Sequence, residues 1–166
     1  MKDSLILIPI GHIHCGQKYR YDAPRQGTLG GDNLGVIKLE HGFNYEQAVK
    51  DLVGFDHIWL IYLFHHNKTW KPKVLTPRSL NNKKISLFAT RSPHRPNPIG
   101  LSCVELVKIS GLELFIRNFD LLDGTPILDI KPYIPYCDSF KNSATSQFLI
   151  SVKSLKGIVS LSVVDI

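Results

Sequence analysis

Leu101-Ser102-Cys103-Val104-Glu105-Leu106-Val107-Lys108-Ile109-Ser110 and Leu112-Glu113-Leu114-Phe115-Ile116-Arg117-Asn118-Phe119 flank a single Gly111. Two such apolar-rich runs around a glycine read as an antiparallel hairpin, because glycine supplies the positive φ that a tight hairpin turn needs. The pattern continues on both sides. His57 to Phe64 is a dense apolar and aromatic run, read as a central strand. Gly35 to Leu39 reads as a short strand and Leu5 to Ile13 as a buried one. Ile85 to Ala89 reads as a strand entering a proline-rich loop, and Asp123-Gly124 turns into another strand, Pro126 to Ile130. Beyond Phe140 the chain is rich in Asn, Ser and Thr, and Phe148 to Val164 alternates again. One helix stands out. Asn44 is its N-cap, Gln47 follows three residues later, Tyr45 to Val53 carries the helical spacing, and Gly54 closes it. The expectation is a mainly β protein: a small antiparallel or mixed β-barrel with one or two short helices. No GxGxxG follows a strand and strands do not alternate regularly with helices, so a doubly wound nucleotide-binding fold is disfavoured.

The 166 residues suffice for one domain with a real core. No apolar run is long enough to span a bilayer as a helix. The cation and short apolar run at the N-terminus lack a small-residue cleavage site. Cys15, Cys103 and Cys137 are odd in number and widely spaced, so neither a disulfide framework nor a zinc knuckle is indicated, and a cytoplasmic location is expected. The formal net charge is +6, and its placement is telling. From His57 to Val104 there is no Asp or Glu, while Lys68, Lys71, Lys73, Arg78, Lys83, Lys84, Arg91 and Arg95 fall within that stretch. A one-signed region attracts polyanions, and nucleic acid is the first candidate partner. Lys68, Lys71, Lys73, Lys83, Lys84 and Arg95 are the candidate RNA contacts, with Trp70 among them as a base-stacking surface or as ordinary half-buried packing.

Three constellations carry chemistry. Phe88-Ala89-Thr90-Arg91-Ser92-Pro93-His94-Arg95-Pro96-Asn97-Pro98-Ile99-Gly100 alternates prolines with cations. Each proline fixes its own φ and pushes the preceding residue into extended geometry, which stiffens a loop carrying guanidiniums suited to carboxylate or phosphate. Pro24-Arg25-Gln26 sets further donors beside a rigid residue. His65-His66 follows the apolar strand, where polar residues commonly line a barrel mouth. Neighbours on a strand point to opposite faces and no third ligand is near, so no metal site is expected. Finally, Asp120, Asp123 and Asp129 stand within a mostly apolar segment that contains the turn Asp123-Gly124-Thr125-Pro126. A partly buried carboxylate there requires a cation, with Arg91 or Lys131 as the candidate. GxSxG, Walker and HExxH motifs are absent.

These constellations, in this order, resemble the TrmO (YaeB/TsaA-like) family. The resemblance runs from about Ile8 to Phe140. It rests on Pro24-Arg25-Gln26, on Phe55-Asp56-His57-Ile58-Trp59-Leu60 leading to Phe64-His65, on Phe88 to Ser102, and on Asp120 to Tyr136 with Asp138-Ser139-Phe140. It implies an S-adenosylmethionine-dependent tRNA methyltransferase built on a small barrel unlike the Rossmann enzymes, occupying residues 1–140, with 141–166 a divergent C-terminal segment. It further implies a homodimer with the cofactor near the subunit boundary, and methylation of N6 of threonylcarbamoyl-adenosine at position 37, in the anticodon loop. Carried over by position, the cofactor contacts are Pro24, Arg25, Gln26, His65, His66, Arg91, Leu101, Asp120, Leu121, Leu122 and Asp123. A glutamine or similar residue usually stands in the family where this chain has His66. Longer members continue into a small C-terminal domain, and Lys141 to Gln147 does not match that continuation. The proton acceptor is left open among Asp120, Asp123 and Asp129.

Two other readings compete: a non-catalytic RNA-binding or regulatory barrel, and a methyltransferase for another nucleoside or a small molecule.

Overall fold

The computed structural model describes residues 6–24, 27, 32–76, 82–140 and 143. In chain order they form β1 (Gly11–Cys15), β2 (Leu34–Leu39), α1 (Tyr45–Val49), β3 (His57–Leu63), β4 (Lys73–Val74), β5 (Ile85–Ser86), β6 (Ile99–Ser110), β7 (Glu113–Arg117), β8 (Pro126–Pro132) and α2 (Pro135–Asp138). The chain divides into two compact units, residues 1–70 with 93–138, and residues 71–92 with 139–166.

The first unit is a closed antiparallel barrel in the order β1-β2-β7-β6-β3-β8. Closure follows from β1 meeting β8, where Gly11 lies opposite Ile127 and His12 opposite Pro126. Beyond that ladder Ile13 N–H donates to Thr125 O (3.2 Å) and Gly124 N–H to Ile13 O (2.9 Å), which extends the seam. Strand alternation fills the interior: Ile13, Ile37, Ile58, Leu60, Val104, Leu114, Ile116 and Ile127 are fully buried. Phe119, from the segment after β7, plugs the same core.

The hairpin read from the sequence is present, with Ser110 opposite Glu113 and a two-residue turn, Gly111-Leu112. Only Gly111 has positive φ (59°), the pattern of a type II′ turn. Several expected boundaries move. The first strand begins at Gly11, and Ile6, Leu7 and Ile8 before it are exposed; Leu5 lies outside the described residues. The helix shortens to Tyr45–Val49 with a 3-10 turn over Lys50–Leu52. Asn44 precedes it in a left-handed conformation (φ 57°), and its side chain bonds the Gln47 side chain (2.9 Å) without capping a backbone N–H. After β5 the chain enters a 3-10 turn, Leu87–Ala89, where a strand was expected. The short α2 was not expected. Asp138 at its end accepts from Trp59 Nε1 (3.0 Å) and Ile134 N–H (2.8 Å), fastening it to β3.

In the second unit, β4 and β5 form a two-stranded ribbon, with Lys73 opposite Ser86 and Val74 opposite Ile85. Leu87 is buried and donates to Pro72 O (2.9 Å). No described helix is long and apolar enough to cross a membrane. Almost all of 141–166 lies outside the described residues.

Candidate active site at one end of the barrel

The segment 118–125 leaves β7 and crosses one end of the barrel before β8 begins. Its backbone is held from two sides by the loop that follows β1. Asn33 grips one part, donating Nδ2 to Phe119 O (2.9 Å) and accepting Asn118 N–H through Oδ1 (3.0 Å). Gly27 is buried against the same spot, where any Cβ would run into the Asn118 carbonyl. At the far side, Asp123 N–H donates to Gln17 O (2.8 Å), and Asp123 Oδ1 accepts Cys15 N–H (2.9 Å). The first loop, which carries Pro24 and Gly27, is thereby brought to the acidic segment. Arg25 and Gln26 themselves lie outside the described residues.

The three aspartates have different employment. Asp129 is on β8 opposite Ile61 and pairs with Lys131 Nζ (2.7 Å), on a partly exposed face. Lys131 is thus the cation that meets Asp129. Asp123 fixes the turn through Cys15. Asp120 faces the barrel end: Ser102 Oγ donates to its Oδ1 (2.6 Å), and Ser102 Oγ lies 3.1 Å from the Tyr62 hydroxyl. Ser102 and Tyr62 are both buried. They reach Asp120 because β3 and β6 run in unbroken register, with Tyr62 opposite Gly100 and Leu60 opposite Ser102. Gly100 has no Cβ, and the Tyr62 ring occupies the space where one would stand.

His65 and His66 follow β3 at this end, where Phe64 N–H donates to Pro98 O (2.7 Å). They sit in a turn and not on a strand, so they do not point to opposite faces, and their ring centroids lie 3.8 Å apart. Burial of the His65 imidazole, and next the neighbouring His66, push its pKa below the ordinary histidine value. His65 is therefore neutral around pH 7. Leu101 points outward from β6 and is exposed, while Leu121 is buried and Leu122 half-buried in the crossing segment. The Oε1 atom of Gln17 is buried and has no partner among the described residues. It was not singled out in the sequence, where one glutamine in a polar loop carries no signal.

The proline-rich stretch divides between the units. Residues 93–100 belong with the barrel. Arg91, exposed, belongs to the second unit, whose turn is shaped by Thr90 Oγ1 donating to Leu87 O (2.7 Å) and accepting Ser92 N–H (3.2 Å). Lys71, Lys73, Lys83 and Lys84 are exposed on the two arms of the β4–β5 ribbon. Lys68, exposed, and Arg95, half-buried, belong to the barrel unit. Among the described residues no three His, Cys, Asp or Glu side chains cluster as metal ligands do.

A six-stranded closed barrel with an acidic, hydroxyl-lined end defines a class apart from doubly wound nucleotide-binding proteins. Residues 12–139 match the tRNA-methyltransferase O N-terminal domain, and the chain belongs to that family. It is 38% identical over 143 residues to the tRNA (adenine(37)-N6)-methyltransferase of Escherichia coli, covering 82% of this chain and 61% of that protein. The human protein of the same name is 36% identical over 143 residues, covering 84% of this chain and 32% of the other. The crystal structure of TrmO from Pseudomonas aeruginosa superposes with a TM-score of 0.73 at 36% identity, covering 86% of this chain and 62% of that one. The chain thus spans about three-fifths of the length of these bacterial relatives.

Proposed function

We propose that this chain is an S-adenosylmethionine-dependent methyltransferase acting on N6 of threonylcarbamoyl-adenosine at position 37 of tRNA. The observation that carries the reading is the convergence, at one end of the barrel, of the first loop, the turn after β3 and the Asp120–Asp123 segment. The relatives named tRNA (adenine(37)-N6)-methyltransferase supply the reaction class.

The residues fit a cationic methyl donor. Asp120 brings a carboxylate, His65 is held neutral and adds no positive charge, and the buried Gln17 Oε1 offers an acceptor to a hydroxyl or amino group. Pro24, Arg25, Gln26, His65, His66, Leu101 and Asp120 to Asp123 would hold it in this unit, and Arg91 remains a contact implied by family resemblance. When bound, S-adenosylmethionine would supply an activated methyl group on sulfur, leaving the chain to orient N6 and to accept the proton it gives up. The substrate nitrogen is part of a ureido group and a weak nucleophile, so in-line positioning and a proton acceptor are what the protein must provide. Asp120 is the acid we assign to the proton, because it is the one met at the barrel end by the buried Ser102 hydroxyl (2.6 Å). The exposed lysines would grip the phosphates around the anticodon loop, whose unpaired bases are reachable without opening a duplex. We further propose a cytoplasmic homodimer.

The test is transfer of labelled methyl from S-adenosylmethionine to tRNA with and without the threonylcarbamoyl group, followed by mass spectrometry of the nucleosides. Methylation of the modified tRNA alone is expected. Equal rates on both would overturn the substrate, and no transfer to either would favour a non-catalytic RNA-binding barrel.

A further inference from the structure

We infer that Tyr62 and Ser102 are positioning residues that hold Asp120, through a buried hydroxyl relay, in the orientation from which it takes the substrate proton. The inference rests on the methyl-transfer reading above. A serine hydroxyl has one proton, and Ser102 spends it on Asp120 Oδ1 at 2.6 Å, a distance typical of a hydroxyl donating to a charged carboxylate. In the relay we infer, the 3.1 Å contact with Tyr62 is made by the phenol donating to Ser102 Oγ. The two dipoles run head to tail with their positive ends toward Asp120, and each bond strengthens the next in a site of low dielectric.

The surroundings are costly to build for packing alone. A barrel interior of Ile, Leu and Val needs no hydroxyl, and burying one demands a partner. Here two buried hydroxyls, from adjacent strands, form a chain that ends on one carboxylate. The strand that carries Ser102 gives up a side chain at Gly100, which leaves the ring of Tyr62 its place. Ser102 belongs to the inward face of β6 and Tyr62 to the inward face of β3, so both are set by the most regular ladder of the barrel, whereas Asp120 is on a crossing segment with no strand of its own. The relay transmits the rigidity of the barrel to that segment. A carboxylate that must meet a proton in the transition state needs this, because orientation errors there cost rate more than binding.

The experiment compares Ser102→Ala, Ser102→Thr and Tyr62→Phe with the unmodified chain. Steady-state methyl transfer is read beside calorimetric binding of S-adenosylmethionine. Ser102→Ala is expected to lower kcat by roughly ten-fold or more, with cofactor affinity and both KM values within about two-fold. Tyr62→Phe keeps the ring in place and should lower kcat in the same direction by less, and Ser102→Thr should restore most of it. A second readout needs no turnover. Proton NMR of the cofactor-free chain should show a downfield, slowly exchanging hydroxyl proton that is absent from Ser102→Ala and exchanges faster in Tyr62→Phe. A loss confined to cofactor affinity, an unchanged kcat in Ser102→Ala, or no protected hydroxyl proton overturns the relay while leaving methyl transfer intact. An unmodified chain that binds tRNA but transfers no methyl overturns the parent reading, and the positioning role with it.

Discussion

Tyr62 lies across the bare backbone of Gly100, its ring filling the space that a Cβ at position 100 would take. This contact brings the phenol to Ser102 (3.1 Å) and keeps it 4% exposed. It also makes position 100 intolerant of any side chain, because the strands on which both residues sit are locked in register from His57–Glu105 to Leu63–Ile99.

Gly100→Ala should therefore destabilise the barrel by about 1–3 kcal/mol, the usual cost of forcing a methyl group into a filled interior. Urea denaturation checks this. Pairing it with Tyr62→Leu should recover part of the loss, and a strictly additive double mutant would show that the two residues do not oppose each other.

The three aspartates should separate by assay. Asp123→Ala leaves the half-buried Cys15 N–H without its acceptor and should cost roughly 1–3 kcal/mol of stability. Asp129→Asn breaks a partly exposed pair with Lys131 and should cost about 0–1 kcal/mol. Asp120→Asn should reduce methyl transfer far more than it reduces the denaturation midpoint. Loss of activity that follows stability alone in all three would remove Asp120 from the chemistry.

His65 gives a pH signature. Its folded pKa is depressed by burial first and by His66 second. As pH falls through the ordinary histidine value of about 6.5, the unfolded chain takes up a proton that the folded chain resists, so stability declines. The decline ends once pH is below the folded value and both states are charged. NMR titration should place the His65 midpoint below the ordinary value, and His66→Ala should raise it. Charging His65 also sets a cation at the proposed sulfonium site, so cofactor affinity should weaken over the same range. A His65 midpoint at or above the ordinary value would refute the assignment.

The exposed lysines of the β4–β5 ribbon predict a salt effect. Replacing Lys71, Lys73, Lys83 and Lys84 together by Gln should weaken tRNA binding and flatten its dependence on salt, because each neutralised phosphate releases counterion. Cofactor affinity should hold steady, as measured by calorimetry. An unchanged salt slope would place the RNA elsewhere on the protein.

The strands of this barrel were legible because alternation has a period of two and the turn residues are specific. Gly111 between two apolar runs could be read as a hairpin, and β3 as a central strand, without coordinates. Boundaries were not legible where local signals compete with packing. Ile6, Leu7 and Ile8 look like strand but extend past the point where a neighbour pairs with them, and the Asn44 cap signal preceded a helix of five residues and not nine. The motif residues of the site were readable as residue types in a particular order. What sequence could not assign was their division of labour. Asp120, Asp123 and Asp129 are chemically identical; Asp129 meets Lys131 two residues along the same strand, but only the strand register that sets Ser102 against Asp120 and Cys15 against Asp123 tells the other two apart. That register is a non-local property: it depends on closure of the sheet, which brings residues 15, 62, 102 and 120 to one end of the barrel from four separate parts of the chain.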